Sequence, residues 1–186
     1  AVMVNYIKKP IIRKAGEVVL GFGLLFVGIS TMSAAMGELR EIPAVIDFFG
    51  NFTNPLLAVL LGVVITSVVQ SSSVTVSILV VMASQGLVDL HICMFVILGC
   101  NIGACTSAML ASIGGTKNAK RAALIHLLFN IFGTILMFVL ILFFGEQIEE
   151  VIYFFSGHGV DSANLGRNIA WAHFLFKVFQ VIVFYP

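Results

Sequence analysis

The sequence predicts an all-α, polytopic membrane helical bundle with one re-entrant helical hairpin and one discontinuous helix. Three observations carry this prediction. The 186 residues are 60% hydrophobic and only 10% charged, with a mean hydropathy of +1.09. Soluble domains carry roughly 25% charged residues, so this chain has too few ionic groups to cover a water-facing surface. Its apolar residues fall in blocks about as long as a membrane span, and two of those blocks hold polar residues at their centres. A net charge of +1 gives no bulk attraction for nucleic acid, and no nucleic-acid partner is expected.

The elements follow in order. Residues 1–17 read as a cytoplasmic linker, with the basic, proline-containing loop "IKKPIIRK" at 7–14. Residues 18–36 are uncharged but for their neighbours and long enough to span; Gly21, Gly28, Ser33 and Ala34 give them a small-residue face. Residues 38–50 mix polar and apolar side chains, as a short interfacial helix would. The next apolar block, 55–83, poses a length problem. As one helix it would measure roughly 43 Å against a bilayer core of ~30 Å. Its centre is the run Gln70, Ser71, Ser72, Ser73, flanked by Thr66, Ser67, Thr75 and Ser77. Two half-length helices with a tip at that run satisfy both the length and the polarity.

A further apolar block, 92–113, has the polar centre "GCNIGACTS" at 99–107. Two glycines beside Asn101 weaken a helix there. Gly99 and Gly103 also form a G-x-x-x-G packing pattern, so both readings stand at this stage. Lys117, Lys120 and Arg121 form a second basic loop, residues 122–144 span again, and residues 145–167 carry Glu146, Glu149, Glu150 and Asp161. The last span covers 168–185. Cytoplasmic loops are enriched in Lys and Arg. A hairpin that returns to its side of entry puts both basic clusters inside; a full crossing at 55–83 separates them.

The polar centres set the chemistry. A buried polar group without a partner costs roughly 2–7 kcal/mol. Broken helix ends present free backbone N–H groups to an anion, and carbonyls with hydroxyls hold Na⁺. With no cation side chain beside the serines in sequence, an anion there is met by neutral donors, helix ends and a co-bound cation. The competing reading, serines that only bond back to their own helix, accounts poorly for four consecutive polar residues. An intramembrane Ser–His hydrolase is the enzyme reading, but no G-x-S-x-G is present and no serine is marked as a nucleophile, so the protein is read as a non-enzyme. Cys93, Cys100 and Cys105 read as packing residues, as do His126 and His173. A weak internal echo relates "HLLFNIFGTI" at 126–135 to "HFLFKVFQVI" at 173–182.

These residues resemble a known family. "QSSSVTVSI", "VILGCNIGACTSAMLASIGG", "AKRAALIHLLFNIFGTI" and "NIAWAHFLFKVFQVIVFYP" are similar to the bacterial branch of the type II sodium–phosphate cotransporters, a likeness that covers residues 16–186. Members are built from two inverted repeats, each with a QSSS hairpin. The resemblance implies that 18–186 is the second repeat, part of a longer multi-pass protein of the bacterial inner membrane. It implies sodium-coupled transport of inorganic phosphate by alternating access, with Na⁺ as coupling ion and no organic cofactor. The expected partners are the bilayer and either the first repeat or a second copy of the chain as a homodimer. Carried over residue by residue, Gln70, Ser71, Ser72 and Ser73 are expected to contact phosphate. Ser72, Ser73, Thr75, Asn101 and Thr106 are expected at the sodium sites. Two positions depart from the pattern: Ala104 follows "NIG" where Thr is usual, and Lys177 stands opposite Asn130 in the echo where Asn is common. Snorkelling to the cytoplasmic face and lining the path are both open to Lys177. A non-transporting membrane scaffold and a carrier of another small anion are the alternatives.

Overall fold

The computed structural model describes residues 10–39, 41–44, 47, 53–157 and 164–184. Most of the expected interfacial helix at 38–50 lies outside the described residues. Among the described residues, seven α-helices make up the bundle. Helix α1, Pro10–Leu39, runs for 30 residues. It begins eight residues before the expected span, inside the segment expected to be a loop. Proline reads as a loop former, yet at the first helical position its fixed φ and missing N–H are no handicap. An Arg13–Glu17 pair at 3.2 Å then bridges one turn. The most apolar 18-residue window of α1 holds no buried residue.

Helix α2, Pro55–Val69, is capped by Asn54, whose side-chain oxygen accepts from the N–H groups of Leu56 and Leu57 at 3.0 and 3.2 Å. It stops at Gln70, which adopts left-handed angles (φ 58°, ψ 23°) and returns its N–H to the Thr66 carbonyl at 2.7 Å. Ser71 is extended and caps α3, Ser72–Ser84. The two helices have 15 and 13 residues, or roughly 22 and 20 Å, too short for a ~30 Å core. Thr66 and Thr75 hydrogen-bond at 3.0 Å between their hydroxyls, so α2 and α3 run back to back.

Asp89 caps α4, Leu90–Gly103, and α5 follows at Cys105–Ser112. The expected discontinuity at 99–107 is an interruption at Ala104 alone. Ala104 keeps right-handed angles (φ −62°, ψ −23°) and bonds back to the Cys100 carbonyl at 2.9 Å. The glycines do not unwind the helix because they serve packing. A Cβ on Gly99 would overlap the Val59 carbonyl oxygen, and one on Gly62 would overlap that of Val96. On Gly103 it would lie 2.7 Å from the Val63 carbonyl oxygen. Helices α2 and α4 therefore touch backbone to backbone. They run parallel, since the contacts advance together along both. Helix α4 is the core of the bundle, buried throughout except at His91 and Ile102.

Helix α6, Lys117–Ser156, is capped by Thr116 and has 40 residues. The expected span ended at 144 with an acidic loop beyond it. Instead the helix kinks at Phe144 (φ −131°, ψ 27°) and continues to Ser156. Glu146, Glu149 and Glu150 belong to a helix face, and Asp161 lies outside the described residues. Glu149 holds His91 of α4 at 3.0 Å and accepts from the Tyr153 hydroxyl at 3.4 Å. Gly145 leaves room for the His91 ring, which would stand 2.9 Å from a Cβ there. Helix α7, Leu165–Phe184, closes the bundle. Among the described residues, α1, the α4–α5 unit and α6 are long and apolar enough to cross a membrane. Helix α7 is long enough, at 20 residues, but carries Asn168, His173, Lys177 and Gln180, of which Asn168 and Gln180 are buried in the bundle.

Candidate functional site

The reversal between α2 and α3 gathers the hydroxyls. Gln70 and Ser73 are exposed at the tip, and Ser71 and Ser72 are half-buried. The Ser71 hydroxyl accepts from the Val74 N–H at 3.4 Å. The remaining N–H groups of the first turn of α3 carry no intrahelical partner and point past the tip. Such an end favours an anion.

Behind the tip the hydroxyls tie the hairpin together. Thr75, 1% exposed, accepts from Thr66 and donates to the Ser71 carbonyl at 3.2 Å. Thr106 of α5 donates to Ser67 of α2 at 2.9 Å. Thr75 and Thr106 are thus brought to the hairpin, each holding a hydroxyl partner. Asn101 is 0% exposed, and its Nδ2 donates to the Ile97 carbonyl of its own helix at 3.1 Å. Its Oδ1 is buried without a hydrogen-bond partner. The hydrogen bonds of Asn101 do not join it to the serines.

Thr66 and Ser67 sit at the junction as firmly as any residue singled out from sequence. Their signal was present, as hydroxyls one turn before the polar run. Two further residues gave less warning. Gln180 lays its amide over Gly133 and donates to the Phe129 carbonyl at 2.9 Å. Lys177 reaches Asn130 Oδ1 at 3.5 Å. In the internal echo, Asn130 matches Lys177 and Gly133 matches Gln180, so the matched positions of α6 and α7 face one another. The three cysteines are free and buried. Cys105 lies 3.8 Å from the His126 carbonyl oxygen and 4.0 Å from its Nε2. Among the described residues no cluster of His, Cys, Asp and Glu forms a metal centre.

Antiparallel half-length helices with a hydroxyl-lined reversal, set among membrane-length helices with exposed apolar flanks, define a multi-pass membrane protein. Residues 43–160 match the Na⁺/Pi-cotransporter family, and the chain belongs to that family. It is 30% identical over 177 residues to the uncharacterized protein YqeW of Bacillus subtilis, covering 94% of this chain and 54% of YqeW. It is 31% identical over 126 residues to human sodium-dependent phosphate transport protein 2B, covering 62% of this chain and 18% of that protein. Escherichia coli YjbB, a putative inorganic phosphate export protein, is 25% identical over 148 residues, covering 75% of this chain and 27% of YjbB. The chain therefore spans about half the length of YqeW and less of the others. No solved structure matches it.

Proposed function

We propose that the protein carries inorganic phosphate across the cell membrane coupled to sodium, and that this chain supplies one half-site. The geometry of the hairpin tip carries the reading. Gln70, Ser71, Ser72 and Ser73 place amide, hydroxyl and free N–H donors at one chain reversal. Phosphate is bound by those donors. Sodium is held by Ser72, Ser73, Thr75, Asn101 and Thr106 hydroxyl and carbonyl oxygens, and offsets the charge of the anion in a site poor in fixed positive charge. Two short helices that enter and leave from one side make the hairpin re-entrant. A first repeat, or a second copy of the chain in a homodimer, covers its open side and completes the site. Rocking of one half against the other then exposes the site to each face in turn. The named relatives support phosphate as the anion: one is a sodium-dependent transporter and one a putative exporter. The name of the exporter favours outward flux as the second reading, on the same site.

The test is phosphate flux in proteoliposomes, in Na⁺ and in choline, for the wild type and Ser72→Ala. Na⁺-dependent flux that falls at least tenfold in Ser72→Ala is the expected result. Equal flux in both cations with an unaffected variant overturns both the coupling and the site.

A further inference from the structure

Every other described Lys and Arg is exposed; Lys177 is half-buried. Its Nζ donates to Asn130 Oδ1 at 3.5 Å. Asn130 is itself 2% exposed and anchored through Nδ2 to the His126 carbonyl at 2.9 Å. Asn130 is the central residue of the stretch of α6 before its kink, ~20 Å from either end at 1.5 Å per residue. That distance is more than a lysine stem can cover, so an ammonium held at Asn130 reaches neither end of that stretch.

No Asp or Glu forms an ion pair with Lys177 among the described residues. Its partner Asn130 shares the His126 carbonyl with the Cys105 thiol, which donates to it at 3.8 Å. Thr106, the residue after Cys105, donates to Ser67 at 2.9 Å, one turn before the reversal at Gln70. A line of polar groups therefore joins the ammonium to the hairpin tip. A lone ammonium among membrane helices is expensive, and such residues mark the route of a charged cargo. The missing counter-charge here is negative. An arriving anion supplies it.

We infer that Lys177 is the fixed cation of the anion path, neutralising one charge of the bound anion in place of one coupling sodium ion. The phosphate identity of that anion rests on the reading above; the role of Lys177 toward an anion does not.

Binding of radiolabelled phosphate to the purified protein, in Na⁺ and in choline, tests this with Lys177→Gln, Lys177→Arg and Asn130→Asp. The last variant places a carboxylate on the ammonium and cancels its charge without removing it. Wild type and Lys177→Arg keep measurable binding in choline. Lys177→Gln and Asn130→Asp lose ~10-fold or more in choline and recover as Na⁺ is raised. Should Lys177→Gln fail to fold, the contrast between Lys177→Arg and Asn130→Asp decides. Equal Na⁺ dependence in all four proteins overturns the inference and leaves the phosphate reading intact. Sulfate is the parallel probe. Lys177-dependent sulfate binding without phosphate binding sustains the inference and overturns phosphate as the cargo. Absence of any Lys177-dependent anion binding overturns the inference whatever phosphate does.

Discussion

At the scale of single residues, the molecule depends on what is missing as much as on what is present. Gly62, Gly99 and Gly103 carry no side chain where α2 and α4 meet, and the carbonyls of Val59, Val63 and Val96 occupy that space. Gly99→Ala therefore destabilises the protein by at least ~1–3 kcal/mol, the cost of overpacking a close contact. Gly21 of α1 has nothing within 4 Å. Gly21→Ala gains helix propensity, ~1 kcal/mol at most, and leaves the fold intact. Unfolding of both variants in detergent, followed by circular dichroism, checks the contrast; equal stability removes the backbone contact as a source of cohesion. The pair at 99 and 103 was legible as a small-residue repeat. Gly62 was not, because a lone glycine in "LLGVV" acquires meaning only from the register of its helix against a partner. Asn101 is legible as a polar residue but not as a geometry. Its Nδ2 bonds its own helix while its Oδ1 is left without a partner, and a rotamer choice of that kind leaves no trace in sequence.

At the scale of elements, the reversal at 70–71 was legible because two independent facts coincided there, an apolar block too long for the bilayer and a polar run at its middle. The backbone adds a requirement that the sequence hides. Gln70 holds φ 58°, a region where β-branched residues are strained and glycine is not. Gln70→Gly keeps the hairpin and loses anion affinity, because the amide goes and the turn stays. Gln70→Ile loses both, with a fall in melting temperature that Gln70→Gly does not show. Equal melting temperatures for the two variants exclude strain at the turn. The acidic segment after 144 was misread for a physical reason. Charged residues following an apolar span look like a loop, yet Glu149 is spent on His91 and Tyr153, and the kink at Phe144 re-aims the helix without ending it. The echo between α6 and α7 was visible, but not that its positions would touch. Like positions on two helices meet only where the helices cross, and crossing points belong to packing.

At the scale of the whole molecule, direction is the property that function needs, and the contacts constrain it. Parallel α2 and α4 place Pro55 and Leu90 toward one side of the bundle. Helices α4 and α6 run antiparallel, with His91 beside Glu149 and Cys105 beside His126. The basic residues at Lys117, Lys120 and Arg121 then stand at the opposite end from Pro55, where the excess of Lys and Arg calls for the cytoplasm. Single cysteines at Thr53→Cys, Ser84→Cys and Lys120→Cys test this arrangement, in a background where Cys93, Cys100 and Cys105 are replaced. All three labelling positions are exposed, so an impermeant maleimide reports sidedness rather than burial. In oriented vesicles the reagent reaches Thr53→Cys and Ser84→Cys from the outer face and Lys120→Cys only from the inner face. Labelling of Thr53→Cys and Ser84→Cys from opposite faces means that α2 and α3 cross the bilayer together. The hairpin tip then ceases to be a re-entrant site, and the half-site reading of Gln70 to Ser73 falls with it. Agreement of the two positions fixes the tip as a dead end within the membrane, reachable by an anion only through a path that the rest of the bundle must open.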